Sequence, residues 1–557
     1  MRHGVVFFCP EEPARAIEEL EKLKAEGFLL IEFASWLWTI PTPGSDVERR
    51  AEAVLDWCDH NGVAFFLIHN IQYGSPGEAG GLNKEVLNPD ESVRFLVDWL
   101  RVLRGHRCVQ GVILGNEVGP HLGTPSDAPV LWERFRQWLR QQHGTISGLN
   151  SAWRTAYEDF EEVGVPPDAS PGWVDYRRFA REVFARFYGH LFAKAVRPAL
   201  GDKLYGNKTT LDPFLHRACT EMTMVCWDDL VAQYPLWRLK CAADTSPKPL
   251  FNSELHLYND DFQYFPSVER SRYRYFTSAL LGEYLTASYA WNNWNKPEIA
   301  QIHAATRGIL ADLARVEGYC KLLAAETREA EVGVLVTEDN YYTPAGTVET
   351  DYEREHPLGL LYAYLSACGV PWRYVLEDDL SAFAKGTLVV WSRGLRRRTA
   401  AALTGLPAAV RVLAVGRPPE RDEYGRRLDP KLAQAVARRC KTVSLRGLQR
   451  AISGSNKLPA EYSRVGEVRY WWWSPDRGHY TYEVPTCLLE ARRAAASDGV
   501  VVAVVNHTEE KQVAPLPWAE GKQVKDLLAG RWLSVKEAGR QEFEPLAVRL
   551  FLYAERR

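Results

Sequence analysis

From the N-terminus to about Arg328, short apolar runs of strand character alternate with stretches whose apolar residues recur at helical spacing. A chain patterned in this way re-enters each parallel strand through a helix, which is the mark of an α/β architecture. A strand is expected at residues 4–8, then a helix at 10–26 in which Ala14, Ile17, Leu20 and Leu23 share one face and Gly27 ends the run. The next strand, 28–33, exits into a loop that carries Trp36 and Trp38 and ends in Pro41-Thr42-Pro43-Gly44. A helix at 46–61, a strand at 63–68 and a helix at 90–104 lead to the apolar run Val112-Ile113-Leu114. Further strands are expected at 203–209, 222–227, 249–254 and 285–291, with a helical insertion at 132–198 and a closing helix at 296–325. Eight such units make a (β/α)8 TIM barrel, set at residues 1–328.

Beyond residue 328 the units shorten. Strands at 332–336, 372–375, 387–391 and 410–415, with helices at 356–368 and 397–403, predict a small doubly wound α/β domain at 329–455. It carries neither G-x-G-x-x-G nor a P-loop, so no nucleotide site is read there. From residue 456 the period is two, and strands at 468–473, 479–482, 500–506, 523–527 and 547–553 predict a small β-domain at 456–557. Trp471-Trp472-Trp473 within it reads as packing.

Composition fits this multi-domain picture. The 557 residues exceed the usual size of one domain, and 46% hydrophobic with 25% charged content is ordinary for a globular chain. A net charge of −3 gives no electrostatic footprint for nucleic acid or an anionic membrane. No stretch approaches the ~20 apolar residues of a membrane span, and the apolar run before Pro10 is too short for a signal peptide, so a cytoplasmic location is expected. Ten cysteines without a C-x-x-C spacing read as buried thiols, not as a disulfide frame or zinc site. Nineteen Trp and 25 Tyr exceed what a core needs, and such rings stack on the C–H faces of sugars.

Two glutamates carry the chemistry. Glu117 in Gly115-Asn116-Glu117 and Glu254 in Phe251-Asn252-Ser253-Glu254 each follow a buried-type apolar run, 137 residues apart. The spacing suits three intervening βα units and delivers both carboxylates to strand C-terminal ends, where barrel chemistry is done. Two carboxylates so placed are the layout of a retaining glycosidase, whose carboxyl groups stand roughly 5–5.5 Å apart. Either Glu alone would read as a helix N-terminal residue or a loop ion-pair partner.

The run Gln142-His143-Gly144-Thr145-Ile146-Ser147-Gly148-Leu149-Asn150-Ser151-Ala152-Trp153-Arg154-Thr155-Ala156-Tyr157 resembles the Y-G-T-I-x-x-L-N-x-A-W-G-T-A-F segment of glycoside hydrolase family 42, the β-galactosidases of clan A. Val501 to Thr508 resembles a strand of that family's last domain, so the similarity spans nearly the whole chain. The resemblance implies a catalytic barrel, a flavodoxin-like domain that builds a trimer in many members, and a small C-terminal β-domain. Carried over by position, Glu117 matches the acid/base, Asn116 the preceding residue that holds the 2-hydroxyl, and Glu254 the nucleophile. His303 falls where the family has E-x-x-H lining the galactose subsite, with Ala300 in place of the Glu. Trp291-Asn292-Asn293-Trp294-Asn295-Lys296 replaces the usual W-R-x segment, and the family's zinc cysteine cluster has no recognisable counterpart.

The implied reaction is double displacement, with Glu254 attacking the anomeric carbon and Glu117 giving and then taking a proton. It requires no metal or organic cofactor. The partner is a glycoside or oligosaccharide whose terminal sugar is a β-galactoside or a related β-glycoside or α-L-arabinopyranoside. Asn116, Trp36, Asp228, Tyr258, Trp291 and His303 are the candidate substrate contacts; for Asn116, Trp291 and Tyr258 capping or packing is the alternative role. Two other readings stand beside this one. A non-catalytic carbohydrate-binding barrel would not need both glutamates, and a metal-dependent barrel enzyme would need more convergent ligands than His69, Asp228 and His303.

Overall fold

The computed structural model describes residues 2–35, 40–69, 71, 88–116, 118–120, 122, 125–126, 128–167, 170–209, 211–229, 236–256, 267–291, 300–342, 356–453, 458–474 and 478–555. The chain divides into two compact units, one of residues 1–230, 246–259 and 283–300, the other of residues 231–245, 260–282 and 301–557.

The first unit holds eight parallel strands: β1 (Arg2–Phe7), β2 (Leu30–Ser35), β3 (Ala64–His69), β4 (Val109–Leu114), β5 (Leu204–Gly206), β6 (Val225–Asp229), β7 (Leu250–Leu255) and β8 (Glu283–Ser288). Their order is β5-β4-β3-β2-β1-β8-β7-β6, and a parallel bridge between Lys208 and Cys226 joins the two ends of the sheet. The expected TIM barrel is therefore present. Val6, Leu30, Phe66, Ile113, Cys226 and Phe251 fill its interior. Gly4 and Gly111 make room for them. A Cβ at Gly111 would lie 2.3 Å from the Leu204 carbonyl oxygen and 2.7 Å from the Phe66 ring. Outside the sheet, Ser45 caps the helix Asp46–Asn61 by accepting from the Glu48 amide, and Gly62, at φ 67°, ends it.

The second unit contains a five-stranded parallel sheet of β9 (Val332–Val336), β10 (Trp372–Leu376), β11 (Gly386–Val390), β12 (Val410–Val415) and β13 (Cys440–Val443). Its order, β10-β9-β11-β12-β13, is the 2-1-3-4-5 order of flavodoxin-like domains. The Asp339 carboxylate, just past β9, accepts from the Ser392 hydroxyl and the backbone amides of Arg393 and Gly394 at 2.8–3.0 Å. Those donors at the carboxyl edge of the sheet are thus met by the chain's own anion.

The unit also holds antiparallel strands: β14 (Val465–Ser474) and β15 (Gly478–Cys487) as a pair, then β16 (Leu489–Ala496) and β17 (Gly499–Asn506) in a five-stranded sheet. Among the elements not foreseen from sequence are β13 and β16. The side chains of Trp471, Trp472 and Trp473 lie outside the described residues.

Candidate active site

β7 ends in Ser253-Glu254-Leu255, and Glu254 is buried at that end. Its Oε2 is ion-paired with Lys208 Nζ, its Oε1 lies 3.6 Å from His256 Nε2, and its amide donates to Asn252 Oδ1 at 3.3 Å. The His256 ring in turn stacks on Tyr289, with centroids 4.6 Å apart.

Asn116 follows β4 through Gly115, whose φ of 106° is open to glycine without strain. A Cβ there would also stand 2.8 Å from the Tyr188 hydroxyl. Lys208 Nζ donates to Asn116 Oδ1 at 2.8 Å as well as pairing with Glu254. One ammonium therefore ties the tail of β4 to the tail of β7 at a single barrel mouth.

Lys208 arrives from the extension of β5 and is 2% exposed. Its amide donates to the Gly115 carbonyl at 3.2 Å, and its own carbonyl accepts from Val118 at 3.0 Å. Glu32, on β2 and also buried, has its carboxyl pushed up to about 8 by burial, with the nearby Lys208 charge opposing the shift. Sequence reasoning missed Lys208, Glu32 and His256. Lys208 obeys the rule that singled out the glutamates, a polar residue where a barrel strand ends, and Glu32 is a lone charge within the apolar run Phe28–Phe33.

The remaining expected residues divide into three groups. Glu117, Trp36 and Tyr258 lie outside the described residues. Asp228 is opposite Glu254 in the β6–β7 register, and His303 is in the first turn of the helix Ala300–Arg328; their side chains are outside the described set. Trp291 has its indole N–H on Glu19 Oε2 at 2.9 Å and its ring edge-on to Phe28. That ring, expected as a subsite floor, is packed toward the helix Pro13–Ala25, the alternative role weighed for it.

His69 is buried, bonded to Ser35 Oγ at 3.2 Å, and burial pushes its imidazole down to about 4. All ten cysteines are free thiols. At the opposite, N-terminal rim, His106 bridges Asp59 (3.0 Å) and Glu52 (3.2 Å) close to the Cys108 thiol. Asp59 also accepts from the Cys108 amide at 2.6 Å, and burial raises that thiol to about 12. Among the described residues no helix is long and apolar enough to cross a membrane.

A family model for glycoside hydrolase family 42, described as β-galactosidase, matches residues 100–233, which include Asn116, Glu117 and Lys208. The chain resembles the family 42 β-galactosidases. Thermus sp β-galactosidase BgaA is 32% identical over 147 residues, 24% of this chain and 22% of that protein, and an Arthrobacter sp β-galactosidase is 35% identical over 101 residues, 15% and 14% respectively. The chain thus spans about a fifth of the length of the curated β-galactosidases it matches first. Among solved structures, a β-galactosidase from Bacillus circulans sp. alkalophilus aligns over 100% of this chain and 99% of its own, with a TM-score of 0.69 and 14% identity. An exo-carrageenase of the same family from Bacteroides ovatus aligns over 100% and 82%, with a TM-score of 0.67 and 18% identity. The barrel followed by further sheets is the fold of those proteins.

Proposed function

We propose that this protein is a retaining, exo-acting β-glycosidase that removes a terminal β-galactoside or a related β-glycoside or α-L-arabinopyranoside. The observation that carries this reading is the Lys208 bridge, which joins Asn116, the neighbour of Glu117, to Glu254. Glu254 attacks the anomeric carbon while Glu117 protonates the leaving oxygen, and the glycosyl ester then yields to a water that Glu117 deprotonates. Once Glu254 is esterified its charge is gone, so Glu117 ionises more readily for its second task. Asn116 bonds a sugar hydroxyl whose hold tightens in the oxocarbenium-like transition state. The two glutamates are expected roughly 5–5.5 Å apart, as retention requires. The flavodoxin-like domain is proposed to build a trimer.

The test begins with aryl β-galactoside, β-glucoside, β-fucoside and α-L-arabinopyranoside substrates. Carrageenan oligosaccharides are added because one structural neighbour is an exo-carrageenase. Glu254→Ala should abolish turnover of every substrate. Glu117→Ala should retain glycosylation by aryl substrates of low leaving-group pKa but slow deglycosylation by about 10²–10⁴-fold. Azide should then restore turnover of Glu117→Ala and yield a β-glycosyl azide. An α-azide from that variant, or a β-azide from Glu254→Ala, would mean that the roles are exchanged or the mechanism is not retaining.

A further inference from the structure

We propose that Lys208 is the positioning residue of this site, its ammonium holding the Glu254 carboxylate and the Asn116 amide in one fixed arrangement. The inference rests on the glycosidase reading and assigns a role to a residue outside the two-glutamate scheme.

Three observations converge on it. The Lys208 backbone is held on both sides, by Gly115 and Val118 after β4 and by the bridge to Cys226 of β6, so its Cα is fixed against the segment that carries Asn116 and Glu117. The side chain is buried, and its Nζ contacts Asn116 Oδ1 and Glu254 Oε2 together. A buried carboxylate without a counter-charge is costly, and Lys208 supplies that charge in direct contact. Among the described residues Lys208 and His256 lie against the Glu254 carboxylate, and the Lys208 charge also acts on Glu32. Glu32, which has no such direct pair among the described residues, is held protonated near neutral pH by burial.

Two consequences follow for the reaction. With Oδ1 turned to Lys208, the Asn116 amide has its donor end oriented by the protein before substrate arrives. When the glycosyl ester breaks, the C1–O bond electrons return to Glu254 as a carboxylate, and Lys208 stands beside the charge that forms.

The experiment compares Lys208→Met, Lys208→Gln and Lys208→Arg with the wild type. On the aryl glycoside that the wild type hydrolyses best, Met and Gln should lower kcat/KM at pH 6 by ~10²–10³-fold and move its acidic limb up by at least about one pH unit. Arg, which keeps the charge, should leave the limb within about half a unit. A purely structural lysine would change stability and amplitude but not the limb. Infrared difference titration of each protein against its own Glu254→Gln counterpart reads the Glu254 carboxylate without substrate. Its midpoint should rise in Met and Gln and stay near wild type in Arg. An unmoved midpoint in either folded neutral variant overturns the proposal. If the wild type hydrolyses no glycoside, the glycosidase reading fails while the infrared result still decides the role of Lys208.

Discussion

Glu32 places a carboxyl group inside the barrel that burial pushes from its ordinary 4.5 to about 8. Below pH 4.5 the folded and unfolded chains both hold this proton. Between 4.5 and 8 the unfolded chain has lost it and the folded chain has not, so Glu32 makes stability fall as pH rises through that window. Glu32→Gln should therefore match the wild type in Tm near pH 4.5 and exceed it near pH 8.5, by roughly 3–5 kcal/mol of unfolding free energy. His69 acts in the opposite sense: its pKa is lowered from 6.5 to about 4, so its contribution is present above 6.5 and is lost as pH falls through 4. The difference between Glu32→Gln and wild type across pH, read by thermal denaturation, isolates the one from the other. A constant difference would mean that Glu32 is ionised in the folded protein. At this scale the sequence exposed Glu254 because it closes an apolar strand. Lys208 escaped because its importance comes from β4 and β7 meeting it in space, which strand spacing alone does not reveal.

At the scale of elements, the run that carries the family resemblance is a structural one. Asn150 binds the Tyr157 amide and carbonyl and the Thr155 hydroxyl at 2.8–3.0 Å, and Trp153 donates to buried Asp175 at 2.8 Å. Arg154 stands where the family pattern has glycine and takes the left-handed conformation, φ 61°, that ends the helix Ile146–Trp153. Arg154→Gly should relieve that strain and raise stability by about 0.5–1 kcal/mol, measured by urea denaturation; a loss would show that the arginine side chain outweighs its backbone cost. Gly111→Ala should do the reverse, costing about 2–4 kcal/mol because the new Cβ meets the β5 backbone. An unchanged urea midpoint would mean that β4 and β5 can part at that point. Two of the strands missed from sequence have clear physical reasons. β16 reads Leu-Glu-Ala-Arg-Arg-Ala-Ala-Ala, a helix-favouring composition overridden by pairing with β17 along eight residues. β13 is a four-residue edge strand with Lys441 and Thr442 exposed, too short and polar to show a period.

For the molecule as a whole, the order of barrel, doubly wound sheet and antiparallel strands was legible because each region has its own apolar period. The helices Leu236–Thr245 and Val268–Leu280 group with the C-terminal unit, a division that local periodicity cannot show because it depends on which neighbours a helix finds. The proposed trimer predicts a solution mass about three times the chain's 63.2 kDa by light scattering at micromolar concentration, and a monomer mass would remove it. The claim that joins all three scales is that Glu254 becomes covalently bound to sugar. A 2,4-dinitrophenyl 2-deoxy-2-fluoro-β-glycoside, with the glycone chosen by the substrate screen, slows both steps but keeps a good leaving group, so the glycosyl-enzyme accumulates. Mass spectrometry of the digested protein should find one fluorosugar on the peptide bearing Glu254 and none in Glu254→Gln; a label on another residue, or turnover without any label, would contradict the account.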